Sequence, residues 1–257
     1  MAMTKIDSKL RHEYKCRISQ SDKAALISRL SLIMSDDPHY GREPYHIRSL
    51  YFDNVYDKAL TERMNGQQVR EKFRIRYYNS DSGYIMLEKK SKRNGLCLKE
   101  SCRLSAEEAQ RIVDGELAWL LDPDRPLCAE LYAKMQSQGL RPKTIVDYTR
   151  DPFVYAPGNV RVTIDYNIRT GQFRTDFLNP QTLTLPAGES PIILEVKWDE
   201  FLPDSPTAKA AAHSAAAANV RRCQTAAVSL RAAPGTDPPK RPSGFGSACP
   251  SSSLPWG

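Results

Sequence analysis

The chain has 257 residues, with 37 Lys/Arg against 30 Asp/Glu and a net charge of +7, enough length for one large or two small domains with a real core. Residues 204–257 hold six basic and two acidic side chains, leaving 31 and 28 in the first 203; bulk charge therefore does not point to nucleic acid, and a focused anion site fits better. The six cysteines form no Cys-x-x-Cys pair, the N-terminus has no apolar signal core, and no apolar run reaches the roughly 18 residues of a membrane span. A zinc site, a disulfide framework and a membrane segment of its own are set aside, and the cytoplasm is the expected location.

The first predicted strand, 10–18, interleaves Arg11, Glu13, Lys15 and Arg17 with His12, Tyr14, Cys16 and Ile18. A period of two puts each set on one face of a strand, so His12 reads as a core histidine. Ser21 is read as the cap of a helix running to 34, with Ala25, Leu26, Leu30 and Ile33 as its apolar stripe. A strand over 46–53 and a helix over 54–64 follow. The next strand, 70–78, carries Lys72, Arg74 and Arg76 between Phe73, Ile75 and Tyr77. In 83–92, Glu88, Lys90 and Lys92 share a face, and Lys99 follows in the strand 96–101. Ser105-Ala-Glu-Glu108 is a capping box for a helix ending at Asp114-Gly115. A further helix over 125–139 is closed by Gly139 and Pro142. Three strands complete the pattern: 143–150 with Arg150, 159–166 with Arg161, Thr163 and Asp165, and 191–198 with Glu195 and Lys197.

Long helices between antiparallel strands imply an α+β domain. Eight strands with one polar face each are most economically arranged as a closed antiparallel barrel, which hides the sheet edges. The charged faces then line a tunnel and the apolar faces pack against helices outside. Such a lining suits a phosphate chain, because Arg offers bidentate forks, Lys supplies point charge, and Mg²⁺ or Mn²⁺ needs only one or two carboxylates. Glu13 and Asp165 are added to the metal set on this facing geometry, and Lys197 to the phosphate-binding set. There is no Walker-type loop, no Gly-x-Ser-x-Gly elbow and no His-Glu-x-x-His. Single-stranded nucleic acid is disfavoured because the aromatics lie opposite the basic face, whereas stacking and phosphate contact need the same face.

Seven segments carry a resemblance. They are Arg-His-Glu-Tyr-Lys (11–15), Ile-Arg-Ser-Leu-Tyr-Phe-Asp (47–53), Glu-Lys-Phe-Arg-Ile-Arg-Tyr-Tyr (71–78), Leu-Glu-Lys-Lys-Ser-Lys (87–92), Arg-Pro-Lys-Thr-Ile-Val-Asp-Tyr-Thr-Arg (141–150), Arg-Val-Thr-Ile-Asp (161–165) and Ile-Leu-Glu-Val-Lys-Trp-Asp-Glu-Phe-Leu-Pro (193–203). In this order they resemble the bacterial VTC-domain proteins, similar to the catalytic domain of the vacuolar transporter chaperone complex and part of the triphosphate tunnel metalloenzymes. The resemblance implies a polyphosphate polymerase that transfers the terminal phosphate of ATP to a growing inorganic polyphosphate chain, with Mn²⁺ or Mg²⁺. It implies that Lys15, Arg74, Arg76, Lys90, Lys99, Arg150 and Arg161 bind phosphate, with Arg74, Arg76 and Lys90 as the catalytic set, and that Glu195 holds the metal.

The resemblance is clear over 8–203. After Pro203 the pattern thins to Arg221-Arg222-Cys-Gln-Thr-Ala-Ala-Val-Ser229-Leu230-Arg231, in which Leu230 stands where the family has a tunnel-facing Lys. A tunnel domain over 1–233 and a disordered Pro/Gly/Ser-rich tail over 234–257 are expected. Two alternatives stay open beside the polymerase: a triphosphatase of the same fold, and a non-catalytic polyphosphate-binding protein with an altered C-terminal end.

Overall fold

The computed structural model describes residues 5–37, 41, 43–94 and 96–199. The expectations for 204–257, Leu230 included, lie outside the described residues.

Nine strands lie among the described residues: β1 (Lys5–Ile18), β2 (Tyr45–Asp53), β3 (Val69–Tyr78), β4 (Asp81–Arg93), β5 (Leu96–Leu104), β6 (Arg141–Tyr155), β7 (Val160–Thr170), β8 (Leu185–Pro186) and β9 (Ile192–Trp198). Their order is β6-β2-β3-β4-β5-β1-β9-β7-β8, and β6 also pairs with β7. Eight strands thus close an antiparallel barrel, with β8 appended to the end of β7. Closure leaves no long edge to template aggregation. The fold is the expected α+β tunnel.

Side chains alternate across this wall. Phe73, Ile75, Ile85, Leu87, Cys102 and Leu104 point outward and are buried under two helices, α3 (Ala106–Asp114) and α4 (Pro126–Gln138), through Ile112, Leu127, Leu131 and Met135. On the other side, Cys16, Ile18, Val162, Ile164, Leu194 and Val196 pack against α1 (Gln20–Ile33). Each fully buried aliphatic side chain contributes about 1.5–3 kcal/mol, and these two layers hold the charged inner face in place. Leu131 is completely buried, so Leu131→Ala costs about 2–5 kcal/mol. The expected result is a lower urea midpoint at unchanged slope.

Both α3 and α4 end where the sequence places them, at Gly115 and Gly139 with φ of 84° and 68°, a conformation that glycine adopts without strain. The α3 capping box is present, with Ser105 Oγ accepting from Glu108 N at 3.1 Å and Glu108 Oε2 accepting from Ser105 N at 2.9 Å.

Four expectations change. The cap of α1 is Ser19, not Ser21: Asp22 stands three residues after Ser19 and reciprocates, with Ser19 N donating to Asp22 Oδ2 at 3.0 Å and Asp22 N to Ser19 Oγ at 3.1 Å. The buried stripe is Leu26, Leu30 and Met34, while Ala25 and Ile33 are exposed. The helix expected over 54–64 begins later, as α2 (Lys58–Met64). Asn54 diverts the chain into an Asx turn, its Oδ1 accepting from Tyr56 N at 3.0 Å and Lys58 N at 3.1 Å. Finally, His12 is not in the core: it is exposed and stacks on Trp198 with ring centroids 5.4 Å apart, opposite the last residue of β9.

Candidate active site

Strand register assembles the inner face. Across β3, β4 and β5, Lys72 lies opposite Lys90, and Lys90 opposite Lys99; one step further in, Arg74 lies opposite Glu88. Across β1, β9 and β7, Glu13 faces Lys197, which faces Arg161, and Lys15 faces Glu195, which faces Thr163. Arg150 on β6 lies opposite Asp165 on β7. Like charges directly opposite each other on adjacent strands are destabilising, so a Lys72–Lys90–Lys99 row has no structural advantage of its own.

Two buried carboxylates organise the cations. Glu88, 2% exposed, accepts from Arg74 Nε at 2.7 Å and Lys99 Nζ at 2.9 Å, with Arg76 Nη1 at 3.9 Å. Burial pushes its pKa up, but Arg74, Arg76 and Lys99 outweigh burial and hold the carboxyl well below the usual range. Glu195, also 2% exposed, meets Lys15 Nζ at 2.7 Å, Arg150 Nη2 at 3.8 Å, and Lys197. There too burial is overcome, by Lys15, Lys197 and Arg150, and the pKa falls well below normal. Glu13 contacts Lys15 at 3.3 Å and Lys90; against burial, Lys15 and the other lysines bring its pKa down to about 2.

The inward arginines are held by neighbouring side chains. Arg150 grips Asp165 bidentately at 2.6 and 2.7 Å and lies 5.4 Å from the Tyr148 ring. Arg76 donates to Tyr148 Oη at 2.8 Å and Ser49 Oγ at 3.2 Å. Arg74 donates to Tyr51 Oη at 3.0 Å. Arg161 pairs with the buried Asp37 and donates to Tyr45 Oη at 3.4 Å.

Lys72 stands apart. Its ammonium lies 5.4 Å from the Tyr51 ring. Burial lowers its pKa, and Arg74, Lys90 and Lys15 reinforce that against Tyr51, bringing it to about 8. For Tyr51, burial is outweighed by Arg74, Lys72 and Arg76, and the phenol drops to about 6. Lys197 also falls to about 8, through burial with Lys90 and Lys15, opposed by Glu195 and Glu13.

A closed barrel whose inward charges are mostly cationic is now combined with the sequence itself: the profile of the VTC domain matches residues 3–223. The chain belongs to the VTC-domain family. No curated protein sequence matches it. Among solved structures, a candidate adenylate cyclase from Bacillus halodurans is 15% identical, covering 74% of this chain and 80% of its own, at a TM-score of 0.44. A candidate adenylyl cyclase from Hippeastrum, reported with a dominant triphosphatase activity, is 12% identical over 74% and 79%, at a TM-score of 0.43. Likeness at this level carries nothing about the reaction.

VTC domains are tunnel enzymes, and enzymes of this superfamily generally use divalent metal ions. Among the described residues no three His, Cys, Asp or Glu side chains are close enough to form a metal cage. Glu13, Glu195 and Asp165 therefore do not act as one three-carboxylate set, and Asp165 is occupied by Arg150. The donors present still suit a hard cation that takes one or two carboxylates and fills its shell with water and phosphate oxygens. Both Glu195 oxygens already meet ammonium groups, Oε1 that of Lys197 and Oε2 that of Lys15 at 2.7 Å, so a metal ion held by Glu195 would take the place of one of these lysine contacts.

The VTC domain thus brings Lys15, Arg74, Arg76, Lys90, Lys99, Arg150 and Lys197 to one lining, with Arg161 towards the end marked by Tyr45. Sequence reasoning missed Tyr51, Ser49 and Tyr148, which hold Arg74 and Arg76, and Asp37, which holds Arg161. It placed Glu88 on the right face without giving it a role. The β2 alternation of Tyr45, Ile47, Ser49 and Tyr51 was the available signal, but a strand so rich in apolar residues reads as core.

Proposed function

We propose that the chain is an ATP-dependent polyphosphate polymerase working in the cytoplasm. A terminal oxygen of the acceptor chain attacks the γ-phosphorus of ATP, the bond to the β,γ-bridging oxygen breaks, and ADP leaves while the chain is one phosphate longer. Such a transfer asks for alignment and charge stabilisation rather than a covalent intermediate. Arg74, Arg76 and Lys90 are assigned to the transferring phosphate. Lys15, Lys99, Arg150, Arg161 and Lys197 are assigned to the flanking phosphates. A divalent cation, Mn²⁺ or Mg²⁺, held by Glu195 with Glu13 beside it, supplies further neutralisation of the phosphate oxygens when bound.

One observation carries this reading: inward-facing cations from β1, β3, β4, β5, β6, β7 and β9 outnumber the carboxylates that contact them, inside a VTC-family barrel. The test is incubation with ATP and Mn²⁺ followed by separation of the products. Long polymer with ADP supports the polymerase. Orthophosphate alone assigns a triphosphatase, and unchanged nucleotide with polyphosphate binding assigns a binding protein.

Titration gives a second check. Lys72, with a pKa of about 8, is mostly neutral at about pH 9, whereas an ordinary lysine titrates at about 10.4. A phosphate chain beside it restores the charge, so tripolyphosphate binding takes up protons at that pH and weakens as pH rises through this window. Calorimetry in two buffers of different ionisation enthalpy reads the uptake directly. The uptake diminishes in Lys72→Met, and buffer-independent heats would contradict the assignment.

A further inference from the structure

Three inward carboxylates share most of the neighbouring cations among them. Glu88 takes Arg74 and Lys99, Glu13 takes Lys15 and Lys90, and Glu195 takes Lys15 and Lys197. Lys72 has no carboxylate partner among the described residues. What faces it is Tyr51, which lies directly opposite Arg74 across β2 and β3. Tyr51 Oη accepts from Arg74 Nη1 at 3.0 Å, and its ring lies 5.4 Å from Lys72 Nζ and 5.8 Å from Arg74 Cζ. Among the described residues this hydroxyl donates to no acceptor. Its other neighbours do not supply one: Thr144, opposite on β6, is neutral, and Asp53, two residues along β2, has its Oδ1 turned to the N–H groups of Asn54 and Ala59 at 2.9 and 3.0 Å.

We propose that Tyr51 is the stand-in anion of the empty tunnel, holding Arg74 and Lys72 until a phosphate chain takes its place. The inference rests on the polymerase reading only in needing a phosphate chain at Arg74. A hydroxyl that accepts from one cation, lies beside a second and donates to nothing favours its deprotonated form. Burial opposes this, but Arg74, Lys72 and Arg76 bring the phenol down to about 6. At Tyr148 the balance is reversed: burial prevails over Arg76 and Arg150, and the phenol is pushed up. When a phosphate chain reaches Arg74, like charge next to the Tyr51 oxygen favours the neutral phenol. The oxygen takes a proton from solvent, and the Arg74 donor is freed for phosphate.

The test follows the near-ultraviolet tyrosinate band of the full chain against pH, without nucleotide, in the presence and absence of tripolyphosphate. Expected at about pH 8, where ordinary tyrosines are neutral, is a band worth about one of the twelve tyrosines. Tyr51→Phe removes it. Saturating tripolyphosphate moves its midpoint up by about one unit or more, and the bleaching follows the same saturation curve as the heat of binding. Lys72→Met also raises the midpoint of the empty protein, because one facing cation is gone, whereas Lys72→Arg keeps it low. A tyrosine that merely props Arg74 gives no band at that pH. Absence of the band, its survival in folded Tyr51→Phe, or indifference to tripolyphosphate overturns the inference. If the band bleaches but ATP and Mn²⁺ yield no polymer, the polymerase reading fails and the stand-in anion stands. Polymer made by a protein without the band sinks the stand-in anion alone.

Discussion

Arg74→Ala lowers ATP-dependent phosphoryl transfer by about 10²–10³-fold, the usual consequence of removing one preorganised charge donor from a shielded site. Arg74 is held by Glu88 and Tyr51, so its fork is oriented before substrate arrives. The fold survives the change because Glu88 keeps Lys99 at 2.9 Å and Arg76 at 3.9 Å. Arg74→Lys restores charge without the planar fork and recovers only part of the rate. Turnover is followed by ADP release with circular dichroism as the folding control. A folded Arg74→Ala protein with turnover within a few-fold of wild type would remove Arg74 from the reaction.

Glu88→Gln destabilises the ligand-free protein by about 3–5 kcal/mol, because it strips the counter-charge from buried arginines. Three cations then face one another with an amide between them. Tripolyphosphate supplies the missing charge, so it raises the melting temperature of this variant more than that of the wild type. The same ligand stabilises any form it binds according to its concentration over its dissociation constant, which is why the comparison is made at saturating ligand in both proteins. A neutral Glu88→Gln substitution would mean that solvent already screens the cluster.

The sequence was most legible where period two was strict. Lys72-Phe73-Arg74-Ile75-Arg76 states both faces of β3 at once, and Phe73 and Ile75 are buried outside while the cations face in. The barrel followed from the same signal, since eight such strands need closure. Helix ends were legible where chemistry is local, as at Ser105 and Gly115. They were misread at Ser19, which with Asp22 forms the capping box in place of Ser21, and at Asn54, which opens an Asx turn where a helix was expected. The supporting shell was least visible. Tyr51 and Tyr148 lie on strands whose lining looks apolar, and Asp37 comes from the segment after α1 rather than from the barrel. Long-range pairs such as Arg161 with Asp37 leave no spacing signature. The outward pair of Arg48 with Asp147, bidentate at 2.9 Å in both bonds, is equally silent in sequence. It shows that buried charge in this barrel is not confined to the tunnel. Its Arg48 also donates to Asn179 O at 2.7 Å, tying the 171–184 crossing to the outer wall, so it serves structure rather than substrate.

The inward cations as a phosphate-chain site are tested most directly by calorimetric titration of tripolyphosphate into the metal-free protein at several salt concentrations. The expected result is one saturable site whose affinity falls steeply with salt and is lost in the Arg74→Ala, Arg150→Ala double variant. Absence of binding by the folded wild-type chain, or undiminished binding by the double variant, would contradict it.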